Sequence, residues 1–213
     1  MTSPRRALIV IDVQQQYFAG PLEVQHPPHG ESLPRITAAL EAANQALVPV
    51  AVFQHTAGEG APVFDPTTEQ WQLHPEVEQR LQPAAFRSEK QFGTVFAGTG
   101  LLDWLRERDV DTLTLVGYMT NNCVLASAAE AETHGLSVEV LSDATGAINI
   151  TNDAGSVDAR TVHTTLLALL NSNWAAVADT DQWVQAVDAG TALKGSNLVV
   201  SAVQGAARTD GGP

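Results

Sequence analysis

This chain of 213 residues has a single cysteine, Cys123, and only two lysines, Lys90 and Lys194. One cysteine excludes an internal disulfide, so the core alone must hold the fold, and the expected setting is a reducing, cytoplasmic one. Basic residues are scarce: 11 Lys and Arg stand against 24 Asp and Glu, a formal net charge of −13. Nucleic acid and anionic membrane surfaces need clustered Lys and Arg, so neither is an expected partner, whereas a small molecule is. No apolar run approaches the ~20 residues of a membrane span. The opening stretch to Arg6 leads into a short strand rather than into a signal-peptide core.

What the chain does have is length and apolar residues enough for one domain with a sizeable core. Strand-like and helix-like segments alternate from end to end. Strands are expected at 7–11, 48–53, 112–117, 137–141 and 175–178, with a short edge strand at 86–90. Helices are expected at 32–46, with Ser32 as cap and Pro34 in the first turn, and at 75–81, 98–108, 123–134, 156–170 and 180–187. A polar loop runs from Thr56 to about His74, and another begins at Ser142-Asp143-Ala144. The pattern is α/β: a three-layer α/β/α arrangement around a six-stranded, mainly parallel, Rossmann-like sheet. One domain is expected over 1–187, followed by a Gly-, Ala- and Ser-rich extension over 188–213 that reads as a flexible tail with an apolar patch at Leu198-Val199-Val200.

In an open parallel sheet, ligands bind beyond the carboxyl ends of the strands. Three residues fall there. Asp12 ends the first strand, Lys90 ends the edge strand, and Cys123 opens the helix after 112–117. Singly each has a structural reading: a loop cap, a solvated surface cation, a small buried hydrophobe. Together they form a set for covalent catalysis: a base for the thiol proton, a cation to hold the charges, and a nucleophile at a helix N-terminus. The helix N-terminus and Lys90 are both expected to lower the thiol pKa.

Three ordered pieces carry a family resemblance: Leu8-Ile-Val-Ile-Asp12-Val-Gln14; Glu89-Lys90 with Phe96-Ala-Gly-Thr-Gly-Leu101; and Gly117-Tyr-Met-Thr-Asn-Asn-Cys123-Val124, followed by Gly135 and Ser142-Asp-Ala144. From about residue 5 to 187 the chain resembles the isochorismatase-like cysteine hydrolases, a superfamily that includes nicotinamidases and N-carbamoylsarcosine amidohydrolases. The resemblance implies a six-stranded parallel sheet and a catalytic triad of Asp12, Lys90 and Cys123. It also implies a cis peptide at Tyr118–Met119, an oxyanion hole formed by the N–H groups of Met119 and Cys123, and assembly into a homo-oligomer. Tyr17, Phe18, Phe92 and Tyr118 are candidates for the substrate wall, each with core packing as the alternative.

The departures narrow the activity. Where nicotinamidases carry an Asp-x-His metal pair, this chain has Gln54-His55-Thr56, and neither His55 nor His74 has a carboxylate partner at useful spacing. No metal and no cofactor are therefore expected. His26, His29, His134 and His163 read as solvent-facing or satisfied. True isochorismatases lack the cysteine and hydrolyse a vinyl ether with the Asp, so Cys123 favours cleavage of a small amide or carbamoyl C–N bond through an acyl-thioenzyme. The alternatives are vinyl-ether hydrolysis by Asp12, a catalytically silent binding member of the family, and a receiver-like signalling domain. The last needs an acidic pair after the first strand, where Val13-Gln14 stands.

Overall fold

The structure, a computed structural model, describes residues 3–209. Six parallel strands form the central sheet: β1 (Arg6–Ile11), β2 (Val50–His55), β3 (Phe86–Lys90), β4 (Thr112–Tyr118), β5 (Ser137–Gly146) and β8 (Ala176–Ala178), in the order β3-β2-β1-β4-β5-β8. Between β5 and β8 a two-stranded hairpin of β6 (Ile150–Asn152) and β7 (Gly155–Val157) stands apart.

Alternation along β1 divides the core in two. Leu8 and Val10 face α1 (His29–Gln45) and, through Trp183, α6 (Thr180–Asp188). Ala7, Ile9 and Ile11 face the layer of α3 (Leu101–Arg106), α4 (Leu125–Thr133) and α5 (Ala159–Asn173). Both faces being covered, the strands read as continuous apolar runs, and β1 and β4 are buried along their whole length.

The chain leaves β1 toward β2 and β3 and, from β4, runs the other way toward β5 and β8. The crevice between the carboxyl ends of β1 and β4 is thus the topological switch point of the sheet. Asp12 follows β1 there, and Cys123 follows β4.

Several local expectations give way to tertiary context. The first helix begins at His29, a turn earlier than expected, so Pro34 lies inside it. Ser32 is not its cap but a buried residue whose hydroxyl meets Tyr118 Oη at 2.8 Å. Residues 142–144 are not a loop: β5 continues through them to Gly146, and they form the stretch where its register against β4 shifts between Leu115 and Gly117. The hairpin β6–β7 takes the start of the expected fifth helix, which begins instead at Ala159 behind the Asp158 cap. The 75–81 helix is only α2 (Pro75–Glu78). The tail is not structureless either, since α7 (Leu198–Thr209) closes the described chain and the Ser196 N–H bonds Asn171 O of α5.

Candidate active site

Each of the three candidate residues is set by its own strand end. Asp12 takes φ +50°, a left-handed conformation tolerated by Asp, and its N–H bonds Phe53 O of β2 at 3.0 Å. Lys90 ends β3 opposite His55 of β2. Cys123 lies in a π-helical turn, Thr120–Val124, that links β4 to α4. Gly117 makes the approach to that turn: at φ +105°, a Cβ there would lie 2.1 Å from Ile11 O, so no side chain fits between β4 and β1. The next bond but one, Tyr118–Met119, is cis.

The side chains converge. Lys90 Nζ lies 2.7 Å from Asp12 Oδ2 and 3.2 Å from Cys123 Sγ. It also donates to Phe92 O at 3.1 Å, with His55 Nδ1 at 3.5 Å. All three candidates are buried: Asp12 is 0 % exposed, Lys90 2 % and Cys123 2 %. Besides the ammonium, the Cys123 thiol and the His55 N–H come near the Asp12 carboxylate. Neither makes a hydrogen bond of good geometry to it, and the His55 N–H instead serves Gln14 Oε1 at 2.8 Å.

Burial dominates the electrostatics. It raises the Asp12 carboxyl above its usual value despite the charge and hydrogen bond of Lys90. For Lys90, burial works against the ammonium, but the negative charge of Asp12 and Cys123 beside it holds its pKa above the usual value. Burial, with the neighbouring Asp12 charge, pushes the Cys123 thiol up to about 12, against the pull of Lys90. The expected lowering of the thiol pKa is therefore corrected. Desolvation and the neighbouring Asp12 charge outweigh the pull of Lys90, so the site disfavours a resting thiolate and the proton has to leave the sulfur as it reacts.

The four aromatic candidates separate. Tyr17 and Tyr118 are buried, with ring centroids 5.6 Å apart. Tyr17 also packs on Phe64 at 5.4 Å, and burial, followed by the charges of Asp12 and Cys123, raises its phenol well above the usual value. Phe18 is half-buried against His74, centroids 4.4 Å apart, while Phe92 is 59 % exposed.

Three features around the centre escaped the sequence reading. Gln14, buried, binds His55 on both sides of its amide and donates to Trp71 O at 2.8 Å, fixing the long loop to β2. Ser127 donates to Cys123 O at 2.6 Å and accepts the Val95 N–H at 3.1 Å, joining the nucleophile's turn to the loop after Lys90. His163 bridges Thr120 and Ser142. No periodicity marks such residues. Only Gln14 had a local signal, a buried amide two places after the acid.

His55 is lowered to about 4 by burial and then by Lys90, so a neutral imidazole stands beside the ammonium. Among the described residues no cluster of three His, Cys, Asp or Glu side chains could hold a metal. A roomier cavity, about 480 Å³, opens at the far, amino edge of the sheet beside Ser3, Asp111 and Trp174, but it holds no such constellation. Among the described residues no helix is long and apolar enough to cross a membrane.

Residues 6–187 match the family model described as the isochorismatase domain. A crystal structure from Burkholderia xenovorans LB400, described as that of a putative isochorismatase, is 42% identical; the superposition covers 98% of this chain and all of that one, with a TM-score of 0.95. The isochorismatase family protein YddQ of Bacillus subtilis is 29% identical over 181 residues, 84% of this chain and 98% of its own length. Streptothricin hydrolase of Streptomyces noursei is 31% identical over 155 residues, 73% of this chain and 60% of its own.

Proposed function

Because the chain belongs to the isochorismatase family of hydrolases, we propose that it is a cysteine hydrolase that cleaves a small amide or carbamoyl C–N bond through an acyl-thioenzyme. One observation carries this reading: Cys123 Sγ and the Asp12 carboxylate both contact a single buried ammonium, that of Lys90. That geometry supplies nucleophile, base and countercharge around one buried cation.

The sulfur attacks the carbonyl carbon while its proton passes to Asp12, and the C–O π pair moves to oxygen. The N–H groups of Met119 and Cys123 hold that oxyanion. Collapse of the intermediate restores the carbonyl and breaks the C–N bond as Asp12 gives its proton to the leaving nitrogen. Water then adds to the thioester, losing a proton to Asp12, and the C–S bond breaks with return of that proton to sulfur. Lys90 stays protonated throughout. Tyr17 stands beside the carboxylate, and Phe92 forms the rim. Phe18 and Tyr118 back the wall from the α1 side.

The step requires Asp12 as a carboxylate. Since burial raises its pKa, protonation on the acid side should remove activity at a higher pH than an ordinary Asp, near 4. Ammonia release from a library of small amides tests the function, with Cys123→Ala as control and mass detection of an acyl adduct on Cys123 after acid quench. Hydrolysis undiminished in Cys123→Ala, without an adduct, would refute the covalent step.

The free thiol suits a cytoplasmic setting, and the tail suits a homo-oligomer. On α7, Leu198, Val199 and Val203 are 64 %, 71 % and 65 % exposed, an apolar stripe that a second copy would cover. Sedimentation should give a multimer that Val199→Asp dissociates; a monomer at micromolar concentration would refute the assembly.

A further inference from the structure

The imidazole of His163, on α5, reaches two parts of the site at once. Nδ1 lies 2.9 Å from Thr120 Oγ1, and Nε2 lies 2.9 Å from Ser142 O. A backbone carbonyl can only accept, so Nε2 carries the hydrogen and, in the neutral ring, Nδ1 accepts from the Thr120 hydroxyl. Burial lowers His163 to about 4, as does the nearby His26, whose ring stands edge-on with centroids 5.6 Å apart; the bond to Ser142 O works in the other direction.

Thr120 is the first residue of the π-helical turn, fully buried, between Met119 and Cys123. Two other anchors hold that turn. Met119 O accepts the N–H groups of Asn122 and Val124, at 3.1 and 3.2 Å. Cys123 O accepts the Ser127 hydroxyl at 2.6 Å. Both of these come from the turn itself or from α4. Among the described residues, and apart from Lys90 at the sulfur and Ser127 of the adjoining α4, His163 is the one side chain that hydrogen-bonds the turn.

We propose that His163 is a positioning residue for the oxyanion turn, holding Thr120 and through it the aim of the Met119 and Cys123 N–H groups. This rests on the acyl-thioenzyme reading. The imidazole touches neither the sulfur nor the carboxylate, and its part is to lock the turn against β5. Misplacement of a reacting centre by about 1 Å can cost about 10²-fold in rate.

Two reagents separate this role from general packing. Acylation of Cys123 by p-nitrophenyl acetate builds an oxyanion, whereas alkylation by iodoacetamide is a displacement at carbon and builds none. His163→Phe keeps the ring volume without its nitrogens and should slow the nitrophenolate burst by about 10- to 100-fold, while alkylation at matched pH stays within about twofold of wild type. His163→Gln, with one acceptor and one donor, should restore the burst to within a few-fold. If His163→Phe does not fold, Thr120→Val removes the other end of the same bond and should show the same split. An unchanged burst, or equal slowing of both reactions, overturns the proposal. Absence of any Cys123-dependent burst in wild type would instead show that the acyl-thioenzyme reading itself has failed, and the positioning role with it.

Discussion

Arg6 with Glu139 at the amino end of the sheet, and Lys90 with Asp12 at the carboxyl end, are both buried ion pairs, roughly 20 Å apart by the six residue steps from Arg6 to Asp12. They are built differently. Glu139 accepts from Arg6 Nε and Nη2 at 2.9 and 2.8 Å, from Thr114 Oγ1 at 2.9 Å and from Trp183 Nε1 at 3.1 Å. Arg6 Nη2 also reaches Thr191 O at 2.6 Å, tying the start of the tail to the sheet. Asp12, by contrast, has one strong partner, and Lys90 spreads its three protons over Asp12, Cys123 and Phe92 O, with His55 Nδ1 farther off at 3.5 Å. A buried charge with every lone pair answered is a structural device. One left short of donors keeps capacity for a proton that has yet to arrive.

The comparison can be broken most forcefully at the under-satisfied end. Asp12→Asn should lower amide hydrolysis by roughly 10⁴-fold or more, the scale seen when the carboxylate of a catalytic triad is neutralised. The same change removes a negative neighbour from Cys123, so iodoacetamide titration should show the thiol pKa falling while turnover disappears. Hydrolysis that persists would mean that Asp12 carries no proton.

At the satisfied end the expectation reverses. Glu139→Ala leaves the Arg6 guanidinium buried and unpaired and should cost about 3–5 kcal/mol in denaturant unfolding, with the alkylation rate of Cys123 near wild type wherever the variant is folded. Loss of thiol reactivity in the folded protein would make the two ends one coupled unit. Lys90→Met should raise the thiol pKa by about one unit or more, since an opposite charge at this range is worth 1–3 units, and should slow alkylation at neutral pH accordingly; an unshifted profile would make Cys123 a packing residue. The smallest effect is Thr114→Val. It removes one of several donors to Glu139 and should destabilise by about 1–2 kcal/mol without touching turnover.

Much of this was legible in the chain. A run such as Leu8-Ile-Val-Ile11 ending at Asp12, and Thr112 to Gly117 ending in a turn before Cys123, marks strands that must be buried on both faces. Parallel strands joined by helices place their carboxyl ends on one edge, so the convergence of Asp12, Lys90 and Cys123 follows from the alternation itself. Local rules failed where a distant partner decided. Ser32 has the chemistry of a cap, but Tyr118, 86 residues away, claims its hydroxyl. Ser142-Asp143-Ala144 looks like a loop, but pairing to β4 on either side, Val140 with Leu115 and Thr145 with Gly117, holds it as an irregularity within the strand.

The order of layers, the parallel sheet and the residues at strand ends follow from local pattern, because these depend on periods of two and of 3.6 and on where they stop. The electrostatics of the centre and the residues that support it come from contacts made across the fold. The direction of the Cys123 shift depends on how far water is excluded and on an Asp 111 positions earlier. The bond from His163 to Thr120 spans 43 residues and that from Arg6 to Glu139 spans 133. Such contacts leave no periodic trace, since each is made by a single side chain meeting a partner that the folding of other segments brings to it.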